Sequence, residues 1–166
     1  MSNPSPYKIP IVDLRAQYAK LSAELRRALD EVVENQQFIL GPAVTRFETQ
    51  MAHYLNCAHA VGVASGSDAL LLALMALDIG PGDGVITTPF TFFSTVSSIT
   101  RLGATPLFAD INADDCLLSA KAVNELLSAR GGLRDGVATD SKTGLRLKAL
   151  LPVHLFGQCC AMNEFG

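Results

Sequence analysis

Short apolar runs alternate with helical stretches from residue 59 onward, and this alternation constrains the fold more than any other feature of the chain. His59 to Ala64 (HAVGVA) reads as a buried strand. Ser65-Gly66-Ser67 interrupts it, and Asp68 to Leu77 reads as a helix rich in Ala and Leu. Gly80-Pro81-Gly82-Asp83-Gly84 is a turn. A second strand is expected over Val85 to Thr88, a helix from Ser94 to Leu102 with Gly103 at its C-terminal cap, and a third strand over Thr105 to Ala109. Ser119 is the expected N-cap of a helix through Val123, Leu126 and Leu127, and Ala149 to Leu155 the fourth strand. Alternating strands and helices predict an α/β fold with a mostly parallel sheet covered on both faces. Ligands of such sheets bind at the carboxyl ends of the strands, which directs attention to the loops after residues 64, 88, 109 and 155.

Two helical stripes precede this pattern. Leu14, Tyr18, Leu21, Leu25, Leu29 and Val32 recur at steps of three and four, and Val44, Phe47, Met51 and Leu55 follow a Gly41-Pro42 break. The division expected is 1–57 as an N-terminal helical segment and 58–166 as an α/β ligand-binding part. Residues 130–146 are polar and glycine-containing, and read as a surface hairpin or loop, long for an α/β connection.

Composition removes several function classes. Hydrophobic residues at 49% and charged residues at 17% suit a packed core. A net charge of -3 without a basic tract argues against nucleic-acid binding. The longest apolar stretch, Ala69 to Leu77, is too short to span a bilayer, and MSNPSPYKIP lacks the apolar core of an export signal, so a cytoplasmic, non-membrane protein is expected. The four cysteines form no CxxC pair and are expected to be reduced. Cys57 near His53 and His59 lacks a second cluster to complete a zinc site. Asp110, Asn112 and Asp114 have calcium-loop spacing, but Asp115 and Lys121 stand where that loop needs Gly and Glu. No metal is expected. A nicotinamide-binding reading would want a G-x-G-x-x-G turn after the first strand, and none is there.

Two loops carry candidate chemistry. Ser65-Gly66-Ser67-Asp68 joins an expected strand to a helix N-terminus, where free N–H groups and the helix dipole favour an anion. It reads as a phosphate cup or simply as a helix cap. Pro89-Phe90-Thr91-Phe92-Phe93 places three aromatics at a strand end, either as core or as a stacking platform for a planar heterocycle.

The runs IPIVDLRAQYAKL, FILGPAVTRFE, VGVASGSDALLLAL, GPGDGVITTPFTFFSTVSSITRLGATPLFADI and LPVHLFGQ, in this order, resemble the DegT/DnrJ/EryC1/StrS family of pyridoxal-phosphate-dependent aminotransferases. The resemblance covers nearly the whole chain. It implies a three-layer α/β/α arrangement, with 58–166 an incomplete pyridoxal-phosphate-binding large domain of the aspartate-aminotransferase fold (fold type I) and pyridoxal 5'-phosphate as cofactor. It implies a nucleotide-linked keto sugar as substrate, glutamate or glutamine as amino donor, and a homodimer at full length. Carried over by motif, Gly66 and Ser67 correspond to donors to the cofactor phosphate, with Ser67 where the family usually has Thr, and Phe92 to the ring that stacks on the pyridine. His154 and Gln158 lie in the PVHLFGQ run, either near the cofactor or fixing the loop by hydrogen bonds. Gly84 stands where an acidic residue is common, and 130–146 is longer than the family pattern.

No catalytic residue is carried over. Lys8, Lys20, Lys121, Lys142 and Lys148 all lie outside the family's lysine motif, so the 166-residue chain is expected to be the N-terminal part of such an enzyme and inactive alone. Two other readings remain at this point. One is a fragment of a sugar dehydratase on the same scaffold, with histidine in place of the lysine. The other is a non-catalytic binding or dimerisation module.

Overall fold

The computed structural model describes residue 10 and residues 12–165, which fall into two compact units, Met1–Gly62 and Val63–Gly166. Lys8 lies outside the described residues.

The first unit holds α1 (Arg15–Asn35) and α2 (Pro42–Tyr54). Gly41 is the extended N-cap of α2 and Pro42 takes its first turn, where a missing N–H costs nothing. Arg46 and Glu31 join the two helices through an ion pair of 2.8 Å. The expected stripe on α1 forms on one helix face, yet none of its residues is buried, and Leu14, Tyr18, Leu21, Leu25 and Leu29 all stay exposed.

The expected strand at 59–64 does not form, and Val61 is 78% exposed. A strand exists only through a ladder partner. None of the described strands pairs with this segment. The Gly62 N–H instead donates to Glu48 Oε1 at 2.7 Å, and the Cys57 thiol to the His59 carbonyl at 3.2 Å.

The second unit contains α3 (Gly66–Ala76), β1 (Asp83–Thr87), α4 (Phe93–Arg101), β2 (Thr105–Phe108), α5 (Ala120–Arg130), β3 (Gly131–Arg134), β4 (Val137–Asp140) and β5 (Arg146–Leu150). The sheet order is β2-β1-β5-β4-β3, with β1 parallel to both β2 and β5. The stretch read as a surface excursion is β3 and β4, an antiparallel hairpin that joins β5 through the Thr139–Arg146 pair. The last strand begins at Arg146 and ends at Leu150, not at 149–155. Its polar positions hid it. Lys148 serves the amino end of the sheet, where its ammonium lies 3.8 Å from the carboxylates of Asp78 and Asp83.

Successive residues of β1 face opposite layers. Val85 packs with Leu74 of α3, Ile99 of α4, Ile79 and Ala104, while Ile86 packs with Leu107, Leu117, Leu118 and Val123 of α5. The result is three layers, with α3 and α4 on one face of the sheet and α5 on the other. Asp83 is fully buried at the amino end of β1, taking the Gly80 N–H at 2.9 Å with the Arg146 guanidinium 2.7 Å away. This charged cluster secures the end of the sheet opposite the candidate loops.

Candidate functional site

Helix α3 leads into β1 through the short turn 77–82, so the two run in opposite directions. Helix α4 connects parallel strands β1 and β2, and also runs against them. Because α3 and α4 pack side by side on one face, both helix N-termini fall at the carboxyl end of β1. That is where Gly66, Ser67 and Phe92 lie.

Ser65 is the N-cap of α3, extended at φ -159° and ψ 165°. Its hydroxyl accepts the Asp68 N–H at 3.2 Å and donates to the Asp68 carboxylate at 3.0 Å, while its carbonyl takes the Ala69 N–H. The N–H groups of Gly66 and Ser67 find no acceptor among the described residues. A Cβ on Gly66 would meet nothing within 4 Å, so the backbone there faces open space. Two free amides on the positive end of a helix, with the Ser67 hydroxyl beside them, are the donor set a phosphate monoester requires. The cap reading and the cup reading are therefore compatible: Ser65 caps, and its two successors remain available.

The carboxyl end of β1 is built from hydroxyls. Thr87 and Thr88 are buried; the Thr87 hydroxyl donates to the Leu151 carbonyl at 2.8 Å, and Thr88 Oγ1 accepts the Phe90 N–H at 3.2 Å. Phe92 is the N-cap of α4 in extended conformation, without a side-chain cap. Its ring is 76% exposed, and Phe90 and Phe93 are exposed too. The core reading of these three aromatics fails, because helix α4 turns the chain away immediately after β1 and leaves their rings on the surface. The exposed Phe92 ring and the free amides of Gly66 and Ser67 thus lie toward the same end of β1.

His154 and Gln158 border the short turn Leu155–Gly157 after β5. His154 Nδ1 accepts the Cys160 N–H at 3.1 Å, and the Cys160 thiol donates to the Val153 carbonyl at 3.2 Å, so His154 fixes its own loop. Within that turn Phe156 holds a left-handed φ of 54°. Sequence reasoning missed the pairing of Thr91 with Thr95, whose hydroxyls lie 2.8 Å apart across Phe92. Their spacing of four was the only available signal. The described residues hold no cluster of three or more His, Cys, Asp or Glu able to bind a metal, and no helix long and apolar enough to cross a membrane.

Comparison with known proteins agrees with this architecture. Residues 19–166 match the DegT/DnrJ/EryC1/StrS aminotransferase family. A pleiotropic regulatory protein of Geobacillus stearothermophilus is 42% identical over 93% of this chain and 37% of its own length. A UDP-N-acetyl-3-dehydro-alpha-D-glucosamine 3-aminotransferase of Acidithiobacillus ferrooxidans is 38% identical over 90% of this chain and 36% of its own. The crystal structure of a family aminotransferase from Brucella abortus superposes with a TM-score of 0.84 at 33% identity, covering 95% of this chain and 40% of that one. A Streptococcus pneumoniae relative, 27% identical, is solved in its pyridoxal phosphate form. The chain thus spans about 37% of the length of the curated relatives it matches. The match over most of the sequence and the superposed fold lead to one assignment: this chain belongs to the DegT/DnrJ/EryC1/StrS aminotransferase family.

Proposed function

We propose that residues 1–166 are the N-terminal part of a pyridoxal-phosphate-dependent enzyme that moves an amino group from glutamate or glutamine to a nucleotide-linked keto sugar. What supports the cofactor reading is the pair of neighbouring helix N-termini at the carboxyl end of β1, one with unengaged amides at Gly66 and Ser67, the other beginning at the exposed ring of Phe92. The keto-sugar reading leans on the family and on relatives such as the Acidithiobacillus 3-aminotransferase.

In this reading the bound cofactor supplies an electron sink for transferring the amino group. The Gly66 and Ser67 amides and the Ser67 hydroxyl hold its phosphate, and the dipole of α3 offsets part of the phosphate charge. Phe92 stacks against its ring and sets the ring plane. These residues bind and orient; none of them moves a proton. Lys148 is committed at the opposite end of the sheet, where its ammonium donates to the Asp78 carbonyl and lies near Asp83. Lys121 sits on α5, 3.8 Å from Glu125. The chain alone therefore binds the cofactor without turning substrate over.

The test has two arms. Pyridoxamine phosphate titrated into the chain is expected to bind, and Phe92→Leu to weaken binding by about fivefold, the loss of a ring stacking of roughly 1 kcal/mol. A transamination assay with glutamate and a UDP-linked 3-keto sugar is expected to show no turnover. Unchanged affinity in Phe92→Leu would remove the stacking role, and turnover by the chain alone would overturn the division of labour proposed here.

A further inference from the structure

We infer that Thr95 is a positioning residue for Phe92, acting through Thr91. The inference rests on the reading that the Phe92 ring stacks on the cofactor.

The Phe92 side chain is too exposed for packing to fix it, and as N-cap of α4 it makes no capping bond of its own. Its direction must come from the backbone on either side. Thr95 is 5% exposed and grips both sides. Its N–H donates to the Phe92 carbonyl at 3.1 Å, and its hydroxyl pairs with that of Thr91 at 2.8 Å. Thr91 in turn donates its N–H to the Pro89 carbonyl at 3.0 Å, closing the turn that enters Phe92. The Thr95 carbonyl takes the Ser98 hydroxyl at 2.9 Å, and Ser98 is 1% exposed, which anchors the assembly in the helix core. The hydroxyl pair thus spans Phe92 from the residue before it to the third residue after it. A hydrogen bond bridging an exposed residue has little to do with burying apolar surface. Its effect is to narrow the backbone angles at 91 and 92, and so the directions the ring can take.

The test uses the 166-residue chain and pyridoxamine phosphate, followed by affinity and by the circular dichroism induced in the cofactor's absorption band, which reports a fixed ring orientation. Thr95→Val keeps the shape and removes the hydroxyl. It is expected to weaken binding about fivefold and to diminish the induced band, the loss of one hydrogen bond. Thr91→Val breaks the same pair from its half-buried end and is expected to match it, while Thr95→Ser restores both signals. In Phe92→Leu the ring is gone, so adding Thr95→Val should weaken binding no further.

Wild-type affinity and an unchanged band in both valine variants would overturn the inference while leaving the Phe92 reading intact. So would losses that simply add to those of Phe92→Leu. If Phe92→Leu itself binds as the wild type does, the stacking reading fails, and the role of Thr95 falls with it.

Discussion

Asp140 shows how much one carboxylate can organise. It is buried at the base of the β3–β4 hairpin, where Arg130 donates two hydrogen bonds of 2.8 Å and Thr143 donates from both its hydroxyl and its N–H. The Arg130 guanidinium first, and Thr143 second, hold its pKa at about 2 against an ordinary 3.8. A carboxylate whose pKa is depressed in the folded chain adds stability that is present above its unfolded pKa and lost as pH falls through the folded one. Urea midpoints measured between pH 5 and 2 should therefore fall steeply in the wild type and less so in Asp140→Asn, by the slope of about one proton. Asp13, held down to about 2 by Arg15, titrates in both proteins and cancels in the comparison. Equal slopes would mean that Asp140 is not coupled to folding. At this scale the helix start after Ser65 was legible in the sequence, because Ser-Gly-Ser before an apolar run reads as a helix cap, while chemistry alone left a phosphate cup and a plain cap both open. Phe92 was singled out from its two aromatic neighbours only by family resemblance. The Thr91–Thr95 pair was not legible, since two threonines four apart mean nothing until the residue between them is known to be a helix cap.

Elements were legible where apolar periodicity matched burial and illegible where partners decided the outcome. The helices at 66–76, 93–101 and 120–130 and the strands at 83–87 and 105–108 lie within a few residues of expectation. HAVGVA has the composition of a strand and finds no ladder, whereas RLKAL carries Arg146 and Lys148 among its residues and becomes β5 because β1 pairs with it. At 131–140 the polar sequence left a hairpin and a loop both open; the structure forms the hairpin, held at its base by Arg130 and Asp140. Gly103 was legible as a helix terminator, and the structure adds the reason. It holds φ 74°, its N–H donates to the Thr100 carbonyl, and an added Cβ would stand 3.0 Å from the Pro81 ring. Gly103→Ala should destabilise the chain by about 1–2 kcal/mol through the left-handed backbone alone, more with the Pro81 contact, measured by urea unfolding. A neutral substitution would show that the turn at Pro81 yields freely.

For the whole molecule, the sheet and its two hydrophobic layers follow from alternation, while the surfaces of the first unit do not. Leu14, Tyr18, Leu21, Leu25, Leu29 and Val33 remain exposed along α1, a continuous apolar face of the kind that marks association. Sedimentation should show concentration-dependent self-association, and Leu21→Glu with Leu25→Glu should shift the chain toward monomer. A wild type that stays monomeric would contradict this. The central claim is that the α3 N-terminus receives a phosphate, and Gly66→Pro tests it most directly. Proline is favoured in the first turn of a helix, Ser65 already has the extended backbone a following proline needs, and the space at position 66 is open, so the fold should survive the loss of one amide donor. In ³¹P spectra of pyridoxamine phosphate, the wild-type chain is predicted to shift and broaden the phosphate resonance, and a folded Gly66→Pro chain to do so markedly less at the same concentration. An identical phosphate response from both proteins, or none from the wild type, would contradict the account.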